Sequence, residues 1–260
     1  MKDRDKKRNI RLDISYVGTN YHGWQRQKGQ ITVQETVESA LETLTQEKIS
    51  LIGSGRTDAG VHALCQTANF LTKASIPTDG FKKGLNSLLP EDVAIINVSE
   101  VSAGFHARKS ALSKTYRYII VTSQQRLPLV HDRAWIIREP LDVEAMARAA
   151  KILIGKHDFS SFMASGSSVK STVRTITALK VKRGVCQQYL PLEYEEIQVE
   201  VTANGFLKYM VRNICGLLKE VGLGKLPWKE AQRILDARDR GVAPPTAPPC
   251  GLYLVGVDYV

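Results

Sequence analysis

The chain has 260 residues, 43% of them hydrophobic and 24% charged, which is enough to bury the core of one large domain or two small ones. Its 36 lysines and arginines against 26 aspartates and glutamates give a formal net charge of +10, which favours polyanionic partners, with nucleic acid first among them. No apolar stretch has the length of a signal peptide or a membrane span, and the four cysteines lack the paired spacing of zinc or redox motifs, so we expect a cytoplasmic protein with free thiols.

Strands and helices alternate in the first half of the chain. Apolar and polar residues mix over 10–16 as in a strand, and residues 18–24, rich in Gly, Asn and aromatic side chains, are typical of a loop. Thr32 precedes apolar residues at helical spacing, and Glu35 completes a capping box with it, which predicts a helix over 33–44. We further predict a short strand ending at Gly53, a strand over 62–71, a helix over 79–89 and a strand over 93–101.

The second half repeats this mixture of elements. The four prolines between residues 244 and 249 cannot lie inside a central strand or helix, so this segment is predicted to be a rigid loop before the last strand. Because the two halves have similar content, we expect an α/β (α+β) fold of two domains, residues 1–104 and 105–260. The predicted elements are strands over 114–121, 173–182, 195–202 and 252–257, and helices over 142–154, 207–221 and 228–237.

The densest chemical signal is the run GSGRTDAGVHA at residues 53–63, between two predicted strands. Its three glycines within eight residues imply unusual backbone conformations. One interpretation is a hairpin loop in which Asp58 makes a turn hydrogen bond and Arg56 pairs with it at the surface. The other is a functional site, because a carboxylate, an arginine, a hydroxyl and a histidine on glycine-shaped backbone are how sites are built on loops. The residues alone leave both interpretations open.

The same run closely resembles the active-site loop of the TruA family of tRNA pseudouridine synthases. In that family the aspartate of a G-R-T-D-A-G-V-H-A run is catalytic, which implies this role for Asp58. Two local departures are Ser54, where alanine is more frequent, and Cys65, where glycine is usual. The resemblance extends in the family's order over nearly the whole chain, through the motifs YHGWQ at 21–25, FHAR at 105–108, KTYRY at 114–118, HDF at 157–159, FL through MVRN at 206–213 and GLYL at 251–254.

The resemblance implies a fold and a reaction. The fold is the pseudouridine synthase fold, two similar domains with largely antiparallel mixed sheets flanked by helices and an active cleft between the domains. The reaction isomerises uridine to pseudouridine at positions 38, 39 and 40 of the tRNA anticodon stem-loop, by a homodimer that needs no cofactor or metal. Moving the base from nitrogen to carbon involves no net redox change or hydrolysis, so one carboxylate, Asp58, can suffice.

Three residues of the second half receive roles from the resemblance. Arg212 is placed against the catalytic aspartate as a bidentate ion-pair partner; its alternative is a surface charge. Tyr116 is implied to stack on the target uracil and to act as a general acid or base, although strand tyrosines are otherwise half-buried packing residues. Leu252 is expected to close the apolar floor beneath the base, whereas a strand leucine is core in most proteins.

To bind a uracil that lies within a stem, the protein must flip the base out and hold the flanking RNA through basic side chains. We expect phosphate contacts from basic side chains, some of which are solvated surface. The three histidines on loops are assigned structural or RNA-contacting roles rather than a metal site. The basic candidates are Arg56, Arg108, Lys109, Lys114, Arg117, Lys82 and Lys83, and the histidines are His22, His62 and His106.

Two other classes of function were weighed. A catalytically silent module that binds structured RNA fits the charge and the strand aromatics, but the presence of Asp58, Tyr116 and Arg212 together argues against it. Phosphoryl transfer through an aspartyl intermediate would need a second carboxylate and a metal near Asp58, where the chain instead continues into Ala59 and Gly60.

Overall fold

The computed structural model describes residues 7–166, 169–185 and 194–260, with backbone alone for Val185. The chain divides into two compact units, Met1–Leu112 with Leu254–Val260, and Ser113–Tyr253. Residues 1–6 and Cys186, one of the four cysteines, lie outside the described residues. No helix among the described residues is both long and apolar enough to cross a membrane.

The predicted domain boundary between residues 104 and 105 stays a prediction, and the compact units differ from it at two places. The Asn9 amide donates to the carbonyls of Ser102 and Phe105, both at 2.9 Å, which fastens the segment after residue 101 to the first unit. The Leu112 N–H donates to the Asp258 carbonyl at 2.9 Å, which fastens the C-terminal residues to the first unit.

The first unit is built on an antiparallel sheet with β1 in its centre. Pairing places Leu12 opposite both Ala68 and Val98, and the register shifts once on each side of β1. Six elements belong to this unit: β1 (Arg8–Tyr16), α1 (Val33–Thr45), β2 (Ile52–Gly53), β3 (His62–Thr72), α2 (Thr78–Leu88) and β4 (Val93–Val101).

Side chains on both faces of β1 are buried, which explains why this strand lies in the centre of the sheet. Ile10, Leu12 and Ile14 are fully buried, as expected for one face of a strand that packs on a core. Asp13 points to the opposite face and is also buried, so its carboxylate must be paired. Its Oδ1 accepts from the Thr67 hydroxyl at 3.0 Å and contacts Arg11 at 2.9 Å, which offsets the cost of burying the charge.

Helix α1 begins at the predicted cap. The Thr32 Oγ1 accepts a hydrogen bond from the Glu35 N–H at 3.4 Å, so the forward half of the capping box is confirmed. The Glu35 carboxylate pairs with Arg26 at 3.1 Å. Because the Val33 N–H donates to the Gly23 carbonyl at 3.2 Å, the helix start is also fixed to the preceding loop.

The strands of the second unit pair largely antiparallel. Strand β9 pairs antiparallel with both β5 and β8, β7 pairs antiparallel with β8, and β6 pairs parallel with β5. The elements are β5 (Ser113–Thr122), β6 (Trp135–Ile137), α3 (Val143–Ile152), β7 (Gly155–Asp158), β8 (Val173–Val185), β9 (Glu195–Ala203), α4 (Met210–Gly222), α5 (Glu230–Ala237) and β10 (Leu252–Asp258), and the boundary between the units falls inside β10. The predicted α/β class with largely antiparallel, helix-flanked sheets is confirmed.

The proline-rich segment is a loop, as predicted, and side chains hold it against α4. The Arg240 guanidinium donates to the carbonyls of Ala243 at 2.8 Å and Pro244 at 3.0 Å. A Cβ on Gly216 of α4 would stand 2.1 Å from the Pro245 carbonyl oxygen, so the loop passes too close for any side chain there. The loop therefore leads into β10 from a fixed position within the second unit.

Candidate active site

The loop 53–63 joins β2 to β3 and presents one carboxylate. Its neighbours Thr57 and His62 are buried, whereas Asp58 is partly exposed. The Val61 N–H donates to the Asp58 carbonyl at 3.2 Å, and Gly60 has φ +76°, which closes a tight turn immediately after the aspartate. The sequence therefore places a charged group at the tip of a loop whose flanks are packed.

The segment 21–25 braces this loop from the side. The Trp24 N–H donates to the Thr57 carbonyl at 3.1 Å, and the Gly60 N–H donates to the Tyr21 carbonyl at 3.3 Å. Gly23 has φ +88°, and a Cβ there would lie 2.5 Å from the Thr57 carbonyl oxygen. Glycine is required at this position because the backbone is left-handed and the two segments touch.

Buried polar side chains support the loop from below. The Tyr16 hydroxyl and the Thr57 Oγ1 are 2.8 Å apart. The Ser54 hydroxyl donates to Gln66 Oε1 at 2.5 Å, and Gln66 Nε2 donates to the Gly55 carbonyl at 3.0 Å. Burial raises the pKa of Tyr16 well above its ordinary value, so the phenol stays neutral and keeps its proton for hydrogen bonding.

His62 has a structural role in this loop. Its Nδ1 accepts a hydrogen bond from the Gly18 N–H at 3.0 Å, so the proton of the neutral ring lies on Nε2. His106 likewise uses Nδ1 to accept from the backbone N–H groups of Arg108 at 3.2 Å and Lys109 at 3.3 Å. Within the described part of the chain, no three His, Cys, Asp or Glu side chains group as metal ligands.

Tyr116 lies in the second unit, in β5, and is 8% exposed. Its ring meets Phe206 edge-on, with centroids 5.1 Å apart and planes at 87°. Tyr118, on the same face, is fully buried and donates its hydroxyl to the Pro248 carbonyl at 2.7 Å, so it packs in the interior of the second unit. Leu252, 5% exposed, follows Gly251, whose backbone packs against the Ile119 carbonyl so closely that a Cβ would stand 2.7 Å from it.

Arg212 is the one residue between Met210 and Leu218 that is not buried, and it is partly exposed. Its Nε donates to the Ala247 carbonyl at 2.8 Å, and its guanidinium carbon lies 4.6 Å from the centroid of the Tyr209 ring. Tyr209 itself has φ +64°, an unusual conformation for a non-glycine residue that turns the chain into α4. These contacts fix the arginine side chain at its Nε edge.

The basic candidates differ in how strongly they are already engaged. Arg56, Arg108 and Lys109 are exposed and Lys114 is partly buried. Arg117 pairs with Glu200 at 2.9 Å across β5 and β9, with both side chains 30% exposed. An arginine engaged by a carboxylate has less charge to offer a phosphate, so Arg117 is the weaker candidate of this set.

Comparison with known proteins decides the family. Residues 14–108 and 149–260 match the sequence model described as tRNA pseudouridine synthase. The chain belongs to this family. A relative from Acetivibrio thermocellus named tRNA pseudouridine synthase A is 48% identical over 252 residues, which cover 97% of this chain and all of the relative. A relative of the same name from Thermoanaerobacter sp. (strain X514) is 46% identical with the same coverage.

The family membership confirms the resemblance that the motifs carried, but the motifs did not reveal the polar support around them. Tyr16 and Gln66 lie outside the loop in sequence, and Gln25 and Gln34 are two amides that bond to each other at 2.8 Å. Amides and hydroxyls have no periodic signature in a sequence. Gln66 could have been noticed because it belongs to a run of polar residues in a strand whose other residues predict burial. Buried polar side chains need hydrogen-bond partners.

We expect Tyr16→Phe to reduce the free energy of unfolding by about 1–2 kcal/mol, because it leaves the buried Thr57 hydroxyl without the phenol oxygen. Thermal unfolding and guanidinium titration measure this change. Tyr253→Phe is the matched control, since the Tyr253 hydroxyl donates at 2.6 Å to the Arg133 carbonyl at an exposed site, where water replaces the lost partner. Equal losses for both variants would contradict the prediction.

Proposed function

We propose that this chain isomerises uridine to pseudouridine at positions 38, 39 and 40 of the tRNA anticodon stem-loop, with Asp58 as the catalytic carboxylate. As a member of the tRNA pseudouridine synthase family, it is an isomerase that makes pseudouridine in tRNA. The role of Asp58 is supported by its position in the loop, where its partly exposed carboxylate lies between a buried threonine and a tight turn. The positions in the anticodon arm come from the resemblance of the motifs.

The chemistry asks little beyond a positioned carboxylate. The bond between ribose C1′ and uracil N1 breaks, the base rotates, and C1′ forms a bond to C5, while the C5 proton leaves and N1 gains one. Atoms and electrons balance without an oxidant, a reductant or water. Ionised Asp58 either attacks carbon covalently or stabilises a cationic sugar, and both routes require the carboxylate form.

Three residues of the second unit are proposed to assist. Arg212 would orient and ionise the catalytic carboxylate, which suits a guanidinium already fixed at its Nε. Tyr116 would stack on the uracil and exchange a proton with it, which suits a ring held edge-on by Phe206. Leu252 would supply apolar surface beneath the base.

The RNA partner is proposed to be the anticodon arm, held by phosphate contacts. Extrusion of the uracil from its stem costs a few kcal/mol, so the flanking backbone must be gripped. The net charge of +10 supports such contacts. The proposed phosphate ligands are Arg56, Arg108 and Lys114, with Arg117 secondary because of its pairing with Glu200. A cytoplasmic homodimer that acts without metal or cofactor completes the proposal.

The test uses the purified protein and unmodified tRNA transcripts that carry uridine at one of the three positions and cytidine at the other two. Carbodiimide labelling followed by primer extension maps pseudouridine as stops, without any added cofactor. We expect a stop at the single uridine of each transcript and none in a transcript with three cytidines. If no transcript yields a stop but all of them shift in a gel, the protein is an RNA-binding module and the proposal is wrong.

A further inference from the structure

A chain of side-chain amides connects helix α1 to Arg56. It starts at Glu38, 5% exposed, whose Oε1 accepts from the Leu51 N–H at 2.9 Å and from Gln34 Nε2 at 3.1 Å. Gln34 Nε2 also donates to the Leu51 carbonyl at 3.0 Å. Because the Gln34 nitrogen serves two acceptors, the hydrogen bonds determine which end of this amide is the oxygen.

The oxygen of Gln34 then orients the next amide. It accepts from the Arg26 N–H at 3.0 Å and from Gln25 Nε2 at 2.8 Å. With its nitrogen directed at Gln34, Gln25 presents its oxygen to Arg56, whose Nε donates to it at 3.1 Å. The direction of each bond follows from the one before it, so the buried carboxylate of Glu38 sets the orientation of the whole series.

The backbone beneath this series is fixed as well. The Gln34 N–H donates to the Trp24 carbonyl at 3.0 Å, and the Val33 N–H donates to the Gly23 carbonyl at 3.2 Å. Trp24 itself is 2% exposed. Gln25 therefore extends from a segment that is anchored on the first turn of α1, and its amide is not carried by a loosely held loop.

A guanidinium has five N–H donors in one plane, and its two terminal nitrogens form the edge that binds phosphate in bidentate fashion. Arg56 is exposed and is held at Nε, so its terminal edge is directed away from Gln25. We infer that Gln25, oriented by Gln34, is a positioning residue that presents the Arg56 guanidinium to a phosphate of the tRNA. This inference rests on the proposed function, because it takes tRNA as the ligand.

The first test is a double-mutant cycle on Gln25 and Arg56. Gln25→Met keeps the length of the side chain and removes the acceptor, and we expect KM for tRNA to rise about three- to tenfold with kcat within about twofold. Arg56→Met should raise KM at least as much, and the double variant should match Arg56→Met alone. If the two factors multiply instead, Gln25 does not act through Arg56 and the inference is wrong.

The second test places a charge in the same position. In Gln25→Glu the new carboxylate would pair with Arg56 and neutralise its charge. The slope of the logarithm of tRNA affinity against the logarithm of salt concentration should then be about one unit shallower than in the wild type, as in Arg56→Met. The measurement is the affinity for unmodified transcripts at four salt concentrations. An unchanged slope in Gln25→Glu, beside a reduced slope in Arg56→Met, would contradict a contact between the two side chains.

Matched controls separate positioning from folding. Gln30→Met changes an exposed glutamine on the same loop, and KM should stay at the wild-type value. Thermal unfolding of each variant shows whether the loop stays folded, and Gln34→Met should reproduce the KM effect of Gln25→Met without adding to it. Failure of the wild type to form pseudouridine would overturn the proposed function, whereas the salt dependence of tRNA binding in the second test decides the role of Gln25 without any catalysis.

Discussion

Replacing Asp58 by asparagine is expected to lower kcat for pseudouridine formation by about a thousandfold or more, while tRNA affinity stays within about threefold. Asparagine keeps the size and hydrogen-bonding shape of the side chain but has no negative charge and is a poor nucleophile. The variant can therefore neither attack carbon covalently nor stabilise a cationic sugar. Single-turnover reactions with unmodified tRNA, digested to nucleosides and separated by chromatography, measure the rate, and gel shifts measure the affinity.

The matched control is Asp79→Asn in the same unit. Asp79 pairs with Lys83 at 2.8 Å in the first turn of α2, so this variant removes one negative charge at an exposed site. Its kcat should equal that of the wild type. If Asp58→Asn retained more than about a tenth of the wild-type rate, the carboxylate would not be the catalytic group, because loss of a nucleophile costs far more than that.

The Asp58 variant is expected to fold, because neighbouring residues provide bonds that fix the loop. Gln66 holds the Gly55 carbonyl at 3.0 Å, and the Trp24 N–H holds the Thr57 carbonyl at 3.1 Å. A change in activity at Asp58 can therefore be interpreted as a change in chemistry. The melting temperature of Asp58→Asn should differ from that of the wild type by less than about 2 °C, as for a substitution at a partly exposed site.

Hydrophobic periodicity was sufficient to predict the long elements. Strand β4 begins and ends at the predicted residues, and α1 begins after the predicted cap Thr32. The two strands that were not predicted, β6 and β7, have three and four residues, too few for an alternating pattern to emerge. β6 forms by parallel pairing of Trp135 with Ile120, a partner distant in sequence.

Helix starts were the less accurate part of the prediction. We predicted that α4 begins at residue 207, but it begins at Met210, because Tyr209 takes a left-handed conformation with φ +64°. Helix α5 was predicted from residue 228 and begins at Glu230. Neither start carries a capping hydrogen bond from a side chain, so the sequence held no Ser, Thr, Asp or Asn signal to read.

The candidate site was predictable in part for a related reason. The candidate loop, residues 53–63, could be picked out from the sequence because it combines three glycines with a mixture of functional groups within eleven residues. Its support comes from contacts between residues far apart in sequence, such as Tyr16 with Thr57, and Thr57 with Trp24. Such pairs depend on strand register and on contacts between loops, neither of which a single sequence specifies, so the residues that hold Asp58 became visible in the structure.

Gly23→Ala is expected to lower kcat by about a hundredfold, because the new methyl group displaces the Thr57–Asp58 peptide. An ideal Cβ at residue 23 would lie 2.5 Å from the Thr57 carbonyl oxygen and 3.0 Å from the Asp58 carbonyl carbon. Both contacts involve backbone, which cannot rotate away as a side chain can. The left-handed φ of +88° adds about 1–2 kcal/mol of strain.

Gly29→Ala separates these two effects, since Gly29 has φ +74° but a Cβ there meets nothing within 4 Å. It should lower stability by about 1 kcal/mol and leave kcat at the wild-type value, because strain alone does not move Asp58. Comparison of kcat and of unfolding free energy for the two alanine variants tests the argument directly. Equal kcat values in both variants would mean that contact between segment 21–25 and the Thr57–Asp58 backbone does not position the Asp58 carboxylate.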